Sequence, residues 1–413
     1  MKKLQTNWSK FTCLICITLF AAIIVQSPKI VQFKIPNEND AEIKMPIIRN
    51  WDLMTLSTLK SIQFSATKEN QNVNQNNPFS KNNIATKLGR QLFFDTNLSK
   101  NEMVSCSTCH NPNKEWSDTR QQSSGLFKVI RNAPSLTQSK YQDFQTWDGR
   151  RDSLWSQSLE PLLNQLEHGL DLNTFEEKIQ KNKQYVTDFL FLETLLQQNF
   201  QSILSNQKNI LIAGFSIGAF LETLSFSEIK LDIFSQYIDK KQISKALNVF
   251  NFQELHGLDL FLNKGQCVRC HSGPLLSDKS FHNIGVAESS ESPNESGWIF
   301  GSEILSNFAY NCTKLNLNHK FDCTRTDYLL THHSQQVGAF RTPSLRNARL
   351  TAPYMHNGQI KSFEEIVTHY DNAISKSRGE SEIVPLHFTQ NEKENLVSFL
   401  KTLDSKTSIE ELN

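Results

Sequence analysis

Two pentapeptides, Cys106-Ser107-Thr108-Cys109-His110 and Cys267-Val268-Arg269-Cys270-His271, constrain this chain more than any other feature. In a Cys-x-x-Cys-His segment, two thiols can capture the vinyl groups of a haem as thioethers while the adjoining imidazole ligates the iron. A chain with two such segments is expected to fold around two covalent haem c groups, held by Cys106, Cys109 and His110 and by Cys267, Cys270 and His271. A zinc ribbon also uses paired Cys-x-x-Cys. A single ribbon rarely sets its ligand pairs about 160 residues apart, however, and it gives the following histidine no role. Thioredoxin-like redox chemistry needs a βαβ context that the flanking sequence lacks.

The N-terminus fits an exported protein. Lys2, Lys3 and Lys10 precede a run without charge over residues 11–25, a signal-peptide pattern that is short for a membrane span. Gln26-Ser27-Pro28 lacks the small-residue exit of a good cleavage site, so residues 1–27 are either a removed signal or a retained anchor that tethers the protein to a membrane. Cys13 and Cys16 lie inside this run and read as apolar filler. Cys312 and Cys323 enclose ten residues; a disulfide between them would contribute roughly 2–4 kcal/mol in an oxidising compartment. With 43 basic and 42 acidic residues, there is no global field to attract nucleic acid or an anionic membrane.

Beyond residue 27 the chain is long enough for two domains, and one haem motif falls in each half. Ile217, Phe220, Leu221 and Leu224 recur at helical spacing, as do Leu396, Phe399, Leu400 and Leu403, and Leu255, Leu258, Phe261 and Leu262 form a shorter stripe before the second motif. No long alternating pattern is present. The expected fold is mainly α, two cytochrome c-like haem domains with long irregular loops. Residues 28–84, polar toward their end, read as an N-terminal extension and connector, 85–245 as the first haem domain and 246–413 as the second.

Several blocks carry a more specific resemblance. They are Leu88-Gly89-Arg90-Gln91-Leu92-Phe93-Phe94-Asp95, Arg131-Asn132-Ala133-Pro134-Ser135, Trp147-Asp148-Gly149-Arg150, Phe281-His282-Asn283-Ile284-Gly285-Val286, and Phe340-Arg341-Thr342-Pro343-Ser344-Leu345-Arg346-Asn347 with Thr351-Ala352-Pro353-Tyr354-Met355-His356 after it. In content and order they resemble the bacterial di-haem cytochrome c peroxidases and their relative, the methylamine-utilisation enzyme MauG. The resemblance implies that the first haem reacts with peroxide and the second stores or relays electrons. Glu167 matches the family's acid/base glutamate, with His168 ranked behind it as a base. Gln157, ten residues earlier, matches its orienting glutamine, and Trp147, ten before that, the tryptophan between the haems. Asn132, Thr351 and Pro353 match positions that supply oxygens to a calcium ion between the domains.

Two departures separate readings within the family. Many members block the peroxidatic haem at rest with a histidine near the position of Ser124, yet no histidine occurs between His110 and His168. That haem is therefore expected to be open without prior reduction. Electron-accepting peroxidases place a methionine on the far side of the second haem, whereas MauG has a tyrosine. Tyr370, seventeen residues after Pro353, matches that tyrosine, with Met355 as the competing ligand. A phenolate oxygen favours the more oxidised states of an iron, because an anionic hard ligand stabilises the higher charge.

The expectation is an exported, periplasmic di-haem peroxidase that reduces hydrogen peroxide with electrons from a small cytochrome c or cupredoxin. The alternative is a MauG-like enzyme that draws electrons from side chains of a protein substrate, and a third reading is a non-catalytic electron carrier or redox sensor. The remaining histidines, His256, His282, His319, His332, His333, His356, His369 and His387, carry no assigned role.

Overall fold

Helix starts are written into the sequence by capping residues. In the computed structural model, which describes residues 38–64, 76–199, 207–288, 296–315, 317, 323, 326 and 337–409, the helix leading to each haem motif begins at an asparagine. Asn82 Oδ1 accepts from Ala85 N (3.0 Å), and Asn251 closes a capping box with Glu254. The helices before the first motif are α1 (Glu38–Arg49), α2 (Leu53–Ile62) and α3 (Asn83–Phe94). Between the motifs lie α4 (Leu154–Leu163), α5 (Leu172–Lys181), α6 (Lys183–Asn199), α7 (Lys208–Leu221), α8 (Lys230–Asp239), α9 (Ile243–Ala246) and α10 (Phe252–Leu262). After the second motif come α11 (Trp298–Asn307), α12 (Phe363–Asn372) and α13 (Gln390–Leu400).

The fold is mainly α. Its strands are two short antiparallel pairs: β1 (Leu224–Phe226) against β4 (Thr407–Ile409), with Ser225 opposite Ser408, and β2 (Phe281–His282) against β3 (Phe340–Arg341), with Phe281 opposite Arg341. Among the described residues no helix is long and apolar enough to cross a membrane. The expected signal or anchor at 1–27 lies outside the described residues, as do His319, His332 and His333.

Among the described residues two large apolar cores form, one beneath each haem motif, beside a small cluster of Phe64, Tyr141, Phe226 and Leu275. The first gathers Leu88, Leu92 and Phe93 of α3, Leu159 of α4 and Ile217, Phe220 and Leu221 of α7; the second gathers Leu255, Leu258 and Phe261 of α10 with Leu396, Phe399 and Leu400 of α13. In both, the helix before the haem motif crosses its partner at a glycine. A Cβ on Gly89 would strike the Ser216 carbonyl, and one on Gly257 the Asn395 carbonyl. Only a residue without a side chain lets two backbones approach so closely.

Each core draws residues from both sides of residue 245. The segment 28–84 was expected as an extension and connector, but Met45, Ile48, Trp51, Leu59 and Ile62 are buried in the second core. Trp51 Nε1 also donates to Asp259 Oδ1 on α10 (2.7 Å), and Lys44 Nζ to the Leu247 carbonyl (3.0 Å). Ile229, Leu231, Phe234 and Ile243, within the segment expected as the first haem domain, pack there too. In return Tyr310, Cys312, Leu317 and Cys323 join the first core. Cys312 and Cys323 are disulfide-bonded with Cα atoms 5.6 Å apart, and the Cys312 amide donates to buried Asp152 (2.7 Å). The physical reason is apolar burial: Leu59 and Ile62 on α2, with Trp51 just before it, make a buried set too short for helical spacing to stand out in the sequence.

Replacing Gly89 or Gly257 by alanine is expected to lower the stability of the haem-loaded protein by about 1–3 kcal/mol, the scale of overpacking at a tight contact. Thermal denaturation of each variant checks this. Melting at the wild-type temperature would mean that the crossing has slack.

Candidate active site

Each Cys-x-x-Cys-His segment folds into one tight turn, because the histidine amide reaches back to the first cysteine. His110 N donates to the Cys106 carbonyl (2.9 Å) and His271 N to the Cys267 carbonyl (2.8 Å). The imidazoles are then fixed from behind. His110 Nδ1 lies 3.1 Å from the Trp116 carbonyl and His271 Nδ1 lies 3.0 Å from the Leu276 carbonyl. A carbonyl only accepts, so each Nδ1 carries the proton and each Nε2 keeps its lone pair. Burial lowers both imidazole pKa values below the ordinary range, which keeps the rings neutral as a metal ligand must be.

Both turns face one continuous cavity of about 680 Å³, walled by all four cysteines of the two motifs and both histidines. The four thiols are unpaired, and burial pushes those of Cys106 and Cys267 up to about 12. Free thiols beside a buried neutral histidine, twice over along one cavity, fit two haem c groups.

On the first-haem side Glu167 lines the cavity, at the end of a turn that follows α4. Burial, reinforced by the charge of Glu160, pushes its carboxyl up to about 7, against the pull of a hydrogen bond from Asn164 Nδ2 to Oε1 (2.8 Å). Gln157 lines the same wall with a buried Oε1 that has no partner. Asn164 supplies a side-chain hydrogen bond to Glu167, and Gln157 stands on the same wall of the cavity. Asn164 stands three residues before Glu167, a spacing that could have found it. His168 is buried, with Nδ1 2.6 Å from the Leu98 carbonyl, and also borders the cavity. At Ser124, where a blocking histidine was sought, the main-chain carbonyl lies 3.9 Å from Cys109 Sγ.

Trp147 sits between the two halves. Its Nε1 donates to the Asn132 carbonyl (2.9 Å) beside the first haem motif, and its own carbonyl accepts from Arg341 N (2.8 Å) in β3. The next residue, Asp148, is fully buried. Burial opposes its ionisation, but the Arg131 and Arg150 guanidiniums outweigh this and hold the carboxyl well below the usual range. Sequence reasoning gave this cluster no role, although all three residues fall inside the quoted blocks.

On the second-haem side Tyr370, on α12, lines the cavity with Met355. Burial and the neighbouring Cys267 and Cys270 raise its phenol pKa, so an anionic oxygen there needs a compensating cation. Asn132, Thr351 and Pro353 all reach the cavity wall. Asn132 Nδ2 donates to the Arg120 carbonyl (2.9 Å), and among the described residues its Oδ1 accepts no hydrogen bond.

A family model described as di-haem cytochrome c peroxidase matches residues 83–251. A cytochrome-c peroxidase, IdrP2 of Denitromonas iodatirespirans, is 32% identical over 77% of this chain and 81% of its own length. The chain belongs to the di-haem cytochrome c peroxidase family. The methylamine utilization protein MauG of Methylorubrum extorquens is 28% identical over 80% of each chain. Among solved structures, a MauG-like protein associated with microbial copper homeostasis aligns with a TM-score of 0.55 and 25% identity over 78% of this chain and 89% of its own. The di-haem peroxidase BthA of Burkholderia thailandensis aligns at 0.59 with 20% identity over 79% and 87%, a likeness of fold. This chain is thus an oxidoreductase of a family that uses haem c.

Loss of one thiol should weaken attachment only at its own turn. Cys106→Ala and Cys270→Ala are expected each to leave the other haem covalently bound, read by the mass of the protein after expression with a haem-maturation system. An unmodified polypeptide mass for the wild-type chain would overturn the assignment of both motifs.

Proposed function

We propose that this protein reduces hydrogen peroxide at the His110 haem, with electrons relayed from the His271 haem and supplied by a small exported cytochrome c or cupredoxin. The overall change is H₂O₂ + 2 H⁺ + 2 e⁻ → 2 H₂O. Haem iron, when bound, supplies a Lewis-acidic site for a peroxide oxygen and a store of electrons. The observation that carries the proposal is the carboxyl of Glu167, pushed up to about 7 at the wall of the first-haem pocket. A group with that pKa accepts the proton of the incoming peroxide and returns it to the departing water with little cost in either direction near neutral pH. Asn164 holds the carboxyl in place through Oε1, and Gln157 on the same wall helps to orient the bound peroxide. Trp147 provides an aromatic bridge whose ends are fixed to opposite halves of the molecule. Calcium held by Asn132, Thr351 and Pro353 would stiffen that bridge, and the Asn132 Oδ1, which accepts no hydrogen bond among the described residues, supports it. The carrier reading leaves Glu167 without a task. Export to the periplasm rests on the charge pattern of residues 1–27.

A specific observation favours a second reading. Tyr370 borders the second-haem pocket beside Cys267 and Cys270, and an oxygen ligand there suits an enzyme that holds oxidising equivalents and takes electrons from a protein's side chains. Tyr370→Phe is expected to change the spin state of the second haem in the ferric protein while the first keeps its spectrum. Paramagnetic resonance at low temperature separates the two, and an unaltered second-haem signal would return the ligand role to Met355 or another group.

Glu167→Gln is expected to leave both haem spectra in place and to slow reaction with peroxide by about a hundredfold or more. Because the ionised carboxyl is the base, the wild-type rate should rise with pH through about 7 and level off above it, and the variant should lose that step. Stopped-flow mixing between pH 5.5 and 8.5 measures both. A wild-type rate constant retained by the variant would transfer proton transfer to His168 or water.

A further inference from the structure

The inter-haem cavity is lined by a buried cation, Arg341, for which no described residue provides a counter-charge. Two blocks of similar sequence lie against the two axial histidines: Arg131-Asn132-Ala133-Pro134-Ser135 beside His110, and Arg341-Thr342-Pro343-Ser344 beside His271. Each contributes an arginine to the cavity wall. Arg131 is paired with Asp148. Arg341 is 7% exposed, and its one side-chain hydrogen bond among the described residues runs from Nε to the Thr146 carbonyl (3.0 Å). The carboxylates that share the wall are engaged elsewhere. Asp148 is held by Arg131 and Arg150, Glu160 by Arg150 and Arg151, Glu167 by Asn164, and Glu382 by His282. Burial alone lowers the Arg341 pKa to about 10, with no anion to raise it again.

An unpaired guanidinium in such a place costs several kcal/mol unless an anion joins it. The cavity belongs to haem c, and haem c carries two propionate carboxylates on the edge away from its thioethers. Arginine presents a planar fork of donors suited to a carboxylate. We propose that Arg341 is the protein's ligand for a haem propionate, and that it couples the charge of that cofactor to the Trp147 bridge. The coupling is built into the main chain. Arg341 N donates to the Trp147 carbonyl, and Arg341 Nε donates to the carbonyl of the residue before it, Thr146. The same residue therefore pins the bridging segment at two consecutive peptides while its remaining Nη donors face the cofactor. A fixed cation at a propionate favours the reduced, less positive iron. Arg341 thus acts as a binding and positioning residue, setting how readily that haem accepts an electron. The inference rests on haem c occupying the cavity and not on any assignment of the oxidant or donor.

The test uses the holo-protein and a redox titration, so that it does not depend on peroxide turnover. Arg341→Gln removes the charge and Arg341→Lys keeps it. In Arg341→Gln the reduction equilibrium of one haem is expected to move at least tenfold toward the ferric form, 59 mV for one electron. Arg341→Lys should restore most of that shift, and the other haem should change little. Spectroelectrochemical titration at pH 7 reads both haems, with covalent haem content and thermal melting as the control for folding. Two unchanged haem potentials in Arg341→Gln would overturn the proposal, as would an equal shift in the glutamine and lysine variants. Failure of both variants to retain covalent haem would also overturn it, because the lysine preserves the charge. If the potentials move as expected while Glu167→Gln reacts with peroxide at the wild-type rate, this inference stands and the proton-transfer assignment falls.

Discussion

The hydrogen bond from each axial imidazole to a main-chain carbonyl is the interaction on which the architecture turns. A histidine that loses its Nδ1 partner can rotate, protonate or present the wrong nitrogen. Trp116 and Leu276 supply those carbonyls from the loop that follows each motif, so the loop must close over the histidine before the pocket exists. Behind the imidazole, a helix holds the cysteine turn against a core: α3 for His110 and α10 for His271. The glycine crossings at Gly89 and Gly257 set how closely those helices approach their partners, and hence where the turns sit. Backbone proximity, tautomer and pocket position are successive consequences of one local fold used twice.

Charge inside the cavity is distributed unevenly, and the unevenness carries chemistry. Asp148 has two guanidiniums and stays ionised, which makes it a structural hub for the wall beside Trp147. Glu167 has a neutral amide for a partner and a second carboxylate nearby, so its proton is held near neutral pH. The same low-dielectric surroundings act on both groups, and the sign of the neighbouring charge decides the outcome. A fully paired glutamate would be a poor base at pH 7, and a fully isolated one would stay protonated. His168 illustrates the other limit, since burial keeps its ring neutral and a carbonyl occupies its Nδ1.

The haem motifs and the helices that precede them were legible because they are local. Cys106 to His110, Cys267 to His271 and the stripe Leu255, Leu258, Phe261, Leu262 each lie within a few turns of chain, and the stripe is buried in the second core. Family blocks extended the reading to Glu167, Gln157, Trp147 and Tyr370, all of which border the one cavity. Nonlocal partners were not legible. Asn164, three residues before Glu167, was not singled out, because the family pattern pointed to Gln157. The Trp51 to Asp259 bond joins residues far apart in sequence, and nothing in a sequence of polar and apolar letters marks Trp51 as belonging to the second core. Which segments share a core was not legible for the same reason, since burial is shared between segments that meet only in three dimensions.

That sharing has a mechanical consequence for electron exchange between the haems. The N-terminal helices brace the second core, while residues around the Cys312–Cys323 disulfide brace the first, although they follow the second haem motif in the chain. Trp147 and Arg341 meet between these braces through main-chain hydrogen bonds, with Asn132 N donating to the His356 carbonyl alongside. Relative movement of the halves would have to break several such bonds and pull apolar side chains from both cores. Proton and electron functions are therefore built on different supports: Glu167 sits at the end of a turn within one half, free to exchange protons with the pocket, whereas Trp147 is held by both halves. An electron bridge gains from fixed distance, and a proton shuttle gains from a carboxyl that can change hydrogen-bond partner without moving the walls around it.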